Sequence, residues 1–158
     1  SAIQATPELQ ELFRKEIADS AIMLRRAYEA GVPLLCGTES GFSLTPYGEW
    51  HYRELEVFVR ELGFSTVDAI KAATSEAARG LCLYGETGAL AEGCLADVIV
   101  VRGDVSQDVT LLAEPSNIEQ VILDGRSLQL PELPPRVDPP GWRVAHYGKG
   151  ILHRGDVK

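Results

Sequence analysis

Cysteine is scarce in this chain and has no useful spacing. Cys36, Cys82 and Cys94 are odd in number and contain no Cys-x-x-Cys pair, which argues against a disulfide framework or a thiolate zinc site. They read instead as small buried hydrophobes in a reducing, cytoplasmic setting. Histidine is equally short. His51, His146 and His153 are the whole supply, and none has a second histidine at metal-ligand spacing, so His51 reads as a solvated or capping residue and the other two as surface residues. Positive charge is also lacking: 15 Lys and Arg against 23 Asp and Glu leave a net charge of −8, which argues against nucleic acid as a partner. No apolar run approaches a membrane span, and residues 1–10 lack the charged-then-apolar layout of a signal peptide, so no membrane partner is expected. Gly37, Gly41 and Gly48 have neither the spacing nor the lysine of a phosphate loop.

What is present is the composition of a soluble globular domain, 45% hydrophobic and 24% charged. The 158 residues suffice for one ordinary domain but not for an eight-stranded α/β barrel, which needs about 250. Thr6-Pro7-Glu8 is a helix start with a hydroxyl cap, proline at the first position and an acid in the first turn. Leu9, Leu12, Phe13, Ile17, Ala21, Leu24, Ala27 and Tyr28 follow at helical spacing, a stripe wide enough to pack against a sheet. Gly31 and Pro33 end that helix.

Residues 33–36, Pro-Leu-Leu-Cys, read as a short buried strand ending in Gly37-Thr38-Glu39-Ser40-Gly41. The chain then loops through residues 40–49, and a second helix is expected over about 49–62, with Leu55, Phe58, Val59 and Leu62 inward and Gly63 as terminator. Ser65-Thr66-Val67-Asp68 resembles a capping box and opens a third helix running to Gly80, its small face formed by Ala69, Ile70, Ala73, Ala77 and Ala78. Beyond residue 84 the period changes. Asp97 to Val101 is the strongest strand signal, and Asp124-Gly125 between two apolar runs predicts a hairpin. The chain therefore divides into a helical part, 1–84, a strand-rich part, 85–130, and a proline-rich tail, 131–158.

Chemistry concentrates at the end of the first strand, because polar groups at the C-terminal end of a buried strand are where α/β folds place their sites. Glu39 is the carboxylate there. Gly37 to Gly41 is not a nucleophile elbow, since Glu39 rather than a serine holds the centre. Asp104 and Asp108 flank a turn, with too few oxygen ligands for calcium. Arg154-Gly155-Asp156 spells an adhesion tripeptide that the cytoplasmic composition makes a coincidence.

An ordered set of motifs then resembles one family. The set comprises Gly31-Val32-Pro33, Gly37-Thr38-Glu39-Ser40-Gly41, Glu54-Leu55, Ala72-Ala73-Thr74, Gly88-x-Leu90-x-x-Gly93-x-x-Ala96-Asp97-Val98-Ile99-Val100 and Ile122-x-Asp124-Gly125. Over about residues 20–127 it resembles the C-terminal third of the metal-dependent amidohydrolase superfamily, in its imidazolonepropionase-like and prolidase-like branch. The resemblance implies an α/β class fold: a partial TIM-barrel segment, the last barrel strand with its flanking helices, followed by part of a small β-sandwich and the tail. It implies hydrolysis of a C–N bond in an amide, cyclic amide or dipeptide-like substrate by metal-activated water, with a divalent metal, usually zinc. Glu39 would then be metal ligand and catalytic base, and Thr38, Ser40 and Tyr47 would line the substrate mouth.

Two departures accompany the resemblance. The family's residue at the place of Glu39 is aspartate, and one added methylene displaces the carboxylate by about 1.5 Å unless the backbone compensates. A shift of that size can cost about a hundredfold in rate. The family's His-x-His and later metal-binding histidines have no counterparts in this sequence. The expected partner is accordingly the missing N-terminal barrel half or another copy of this chain. The rival expectation is a non-catalytic remnant domain that homo-oligomerises through its exposed barrel edge.

Overall fold

The computed structural model describes residues 6–40 and 50–129. Four helices come first: α1 (Pro7–Glu29), α2 (Trp50–Arg60), α3 (Thr66–Ala73) and α4 (Ser75–Gly80). Three short strands follow, β1 (Val98–Val101), β2 (Ile118–Leu123) and β3 (Arg126–Ser127), with 3-10 turns at Val109–Ala113 and Pro115–Asn117 between β1 and β2. Helices in the first half and strands in the second are what the change of period predicts. The tail, His146 and His153 lie outside the described residues.

Local chemistry explains the helix starts. Thr6 caps α1, its side chain accepting from the Leu9 N–H at 3.3 Å, with Pro7 in the first turn. Ser65 caps α3 in the same way, accepting from the Asp68 N–H at 3.1 Å while its own hydroxyl donates to Asp68 Oδ2 at 2.7 Å. The single third helix predicted to reach Gly80 is in fact two. Thr74 leaves helical geometry at φ −126°, ψ −94° and donates its hydroxyl to the Ile70 carbonyl at 2.7 Å, the local competition with the helix ladder that threonine offers. The small face shifts with the break: Ala69, Ala72 and Ala78 are buried and Ala73 is exposed.

The core is small and lies among α2, α3 and the first 3-10 turn. Leu55, Phe58, Leu62, Phe64, Ala69, Ala72 and Val109 form one buried cluster, in which each buried leucine or phenylalanine contributes roughly 1.5–3 kcal/mol. Ala69 and Ala72 are small enough to let the extended segment 32–39 approach α3, so that the Cys36 N–H donates to the Ala72 carbonyl at 3.1 Å. Val109, from the strand-rich part, joins the cluster.

The sequence expectation that α1 packs on a sheet is not met. Its residues include none that is buried, and Leu12, Phe13, Ile17 and Met23 are all exposed. Contact with the body is made at its C-terminal end, where Tyr28 stacks on Phe64 with ring centroids 3.7 Å apart and Arg25 donates to the Glu61 carbonyl at 2.6 Å. The one sheet among the described residues is β1-β2-β3, and it makes no substantial contact with α1.

That sheet is antiparallel in both pairings. Asp124 and Gly125, at φ 50° and 73°, make the two-residue turn joining β2 to β3, the positive-φ pair that a tight hairpin demands. Asp97 fixes the hairpin to the glycine-rich loop before it. Its Oδ1 accepts the Asp124 N–H at 2.8 Å and its Oδ2 accepts the Thr87 hydroxyl at 3.2 Å.

Candidate active site

Residues 32–39 run extended but form no ladder, and no strand among the described residues lies beside them to pair with. The predicted buried strand is therefore corrected to an unpaired extended segment, with Leu35 42% exposed. Strand periodicity nevertheless survives. Leu34, Cys36, Thr38 and Ser40 are half-buried, and Leu35, Gly37 and Glu39 are exposed, the period-two alternation of a pleated chain.

Alternation sorts the candidate residues. Thr38 and Ser40 turn to the same side, their hydroxyl oxygens 2.6 Å apart in a hydrogen bond. Glu39 stands between them on the open side, at φ 48°. A non-glycine residue in the left-handed region carries about 1–3 kcal/mol of strain and is concentrated at functional positions. That conformation also re-aims the carboxylate relative to a plain strand, so the extra methylene does not act on an ideal strand geometry. Tyr47, the third residue assigned to the mouth, lies outside the described residues, as do residues 41–49 as a whole.

Two helices hold this end of the segment. Cys36 is tied to α3 through Ala72, as above, and the Gly37 N–H donates to Glu54 Oε1 of α2 at 2.9 Å. Glu54 enters the sequence reading only as a landmark beside Leu55. Its signal was available: an acid placed four and eight residues before the inward-facing Phe58 and Leu62 belongs to the buried stripe of α2. Burial, reinforced by the Glu54 charge, pushes the Cys36 thiol up to about 12. Cys36 is thus a packing residue and not a nucleophile.

The remaining polar candidates are occupied as caps or lie on the surface. Asp104 Oδ1 accepts from both the N–H and the hydroxyl of Ser106 at 2.9 and 2.6 Å, and Asp108 Oδ1 does the same for Thr110 at 2.8 and 2.6 Å. These bonds hold both carboxyls below the usual carboxylate range. His51 is exposed on α2. Among the described residues no three His, Cys, Asp or Glu side chains converge as a metal site would require, and no helix is long and apolar enough to cross a membrane. Glu39 alone is one carboxylate, so the described residues do not by themselves fit a catalytic metal, which normally takes three protein ligands.

An extended segment flanked by helices, ending in Thr-Glu-Ser, thus precedes the strand-rich part. The Amidohydrolase family model matches residues 9–128, and the chain belongs to that family. Ochratoxinase from Aspergillus niger is 31% identical over 121 residues, which are 75% of this chain and 24% of that protein. The crystal structure of A. niger ochratoxinase superposes with a TM-score of 0.70 at 27% identity, over 84% of this chain and 30% of that one. A Xaa-Pro dipeptidase solved with methionine in its active site matches with a TM-score of 0.61 at 33% identity, over 69% of this chain and 25% of that one. This chain thus spans about a quarter of the length of the relatives it matches.

Proposed function

We propose that the chain supplies the Glu39 end of an active site that hydrolyses C–N bonds of amide, cyclic amide or dipeptide-like substrates. Family membership over residues 9–128 supports the reaction class. The observation that carries the site is Glu39 itself, exposed, at φ 48°, at the end of a segment pinned by α2 and α3. In this reading Glu39 accepts the proton of the attacking water, and Thr38, Ser40 and Tyr47 border the substrate. A divalent metal, zinc by family habit, would lower the pKa of that water. Its other ligands would come from outside the described residues, from the rest of a barrel or from a second copy of the chain. Residues 1–84 are then the barrel contribution, 85–130 the sandwich contribution and 131–158 a tail.

The test is hydrolysis of a panel of dipeptides and N-acyl amino acids by the protein that carries this chain. Glu39→Gln is expected to lower kcat by about 10²–10⁴-fold, the usual contribution of a positioned base, with a much smaller change in KM. Unchanged kcat would remove Glu39 from the chemistry. Metal analysis of the 158-residue chain alone is expected to find well under one tightly bound zinc per chain, and a stoichiometric, chelator-resistant metal would overturn the supply of ligands from elsewhere.

A further inference from the structure

The geometry points to Glu54 as the positioning residue of the site, a carboxylate on α2 that sets the backbone from which Glu39 is presented. This inference rests on the proposed role of Glu39. Glu54 lies 15 residues beyond Glu39 in the chain yet reaches back to the Gly37 N–H, two residues before Glu39, with Oε1 at 2.9 Å. The bond joins the extended segment directly to α2. Glu54 Oε2 is buried and has no hydrogen-bond partner among the described residues. Burying half a carboxylate without compensation is costly, and surface stability offers no reason to keep an acid on the inward stripe of α2 beside Leu55 and Phe58.

The backbone around the bond shows what the acid does. The Cys36 N–H is taken by Ala72 of α3 and the Gly37 N–H by Glu54 of α2. Those two bonds fix the chain immediately before it enters the left-handed turn at Glu39. A carboxylate acceptor suits this task because hydrogen bonds from N–H to a charged oxygen are about twice as strong as neutral ones. Gly37 has no neighbour within 4 Å of where a Cβ would stand. Side-chain packing at residue 37 therefore cannot hold this place, and the burden falls on its N–H.

The experiment is amide hydrogen exchange and ¹H–¹⁵N NMR on the 158-residue chain, comparing wild type with Glu54→Ala and Glu54→Gln. Glu54→Ala is expected to speed exchange at Gly37 by at least about tenfold, the loss of one charge-assisted bond, and to shift the amide and side-chain carboxyl resonances of Glu39. Glu54→Gln keeps a carbonyl acceptor and is expected to restore most of both signals. An unmoved Gly37 amide in Glu54→Ala overturns the clamp, and a moved Gly37 with unmoved Glu39 resonances overturns positioning. Shifts spread evenly into β1 and β2 would show a general stabiliser and also overturn it. These readouts need no turnover, so their failure is distinct from a Glu39→Gln variant that keeps its kcat, which would overturn the proposed function and leave the clamp standing.

Discussion

At the scale of single residues, glycines that look alike in the sequence do different work. Gly88 and Gly93 both adopt positive φ, at 81° and 88°. A Cβ on Gly88 would stand 2.7 Å from the Thr74 carbonyl oxygen and 2.9 Å from Ala78 Cβ, whereas one on Gly93 would meet nothing within 4 Å. Gly93→Ala is therefore expected to cost about 1 kcal/mol for the left-handed backbone alone. Gly88→Ala adds overpacking against the α3–α4 junction and is expected to cost about 3 kcal/mol. Urea unfolding of the two variants checks this, and equal costs would refute the close approach at Gly88. The motif Gly88-x-Leu90-x-x-Gly93 was legible as a pattern, but its unequal burdens depend on Thr74 and Ala78, fourteen and ten residues upstream. Glu39 was legible as the carboxylate at the end of a segment. Its left-handed backbone was not, because glutamate gives no hint of positive φ in the way glycine or asparagine does.

At the scale of elements, α1 shows where helical periodicity stops being informative. Its start at Thr6-Pro7 and its stop at Gly31 were readable from caps and punctuation, since these are local effects. What its stripe would pack against was not, since packing depends on elements absent from the window being read. The part that does dock is the Tyr28 latch. Tyr28 stacks on Phe64, and its hydroxyl donates to Asp68 Oδ2 at 2.8 Å, joining α1 to the cap of α3. The Ser65 hydroxyl first, and the Tyr28 hydroxyl next, hold the Asp68 carboxyl below its usual range. A carboxyl lowered on folding contributes stability above its unfolded value, and that contribution is lost as pH falls through the lowered folded value. Tyr28→Phe keeps the ring stack and removes one hydrogen bond, so it is expected to cost about 1 kcal/mol near neutral pH. The difference from wild type should shrink toward zero in acid below the ordinary carboxylate range. Unfolding titrations of both chains at several pH values decide it, and a pH-independent difference would remove Asp68 from the latch.

At the scale of the whole molecule, two surfaces share one property. The α1 stripe carries Leu9, Leu12, Phe13 and Ile17 in the open, and the extended segment 32–39 has backbone groups with no neighbouring strand among the described residues. Apolar faces and unpaired extended edges both recruit other chains, since each gains free energy by being covered. In relatives roughly three times as long, chain outside the matched quarter can do the covering. For the 158-residue chain on its own, a second copy is one such cover. Light scattering over a rising concentration series is therefore expected to show self-association. The double substitution Phe13→Glu and Ile17→Glu is expected to weaken it by at least about tenfold. Both side chains are exposed, so the substitutions should leave helix content unchanged, which circular dichroism verifies. A wild-type chain that stays monomeric across the series would mean that the stripe tolerates water without a partner.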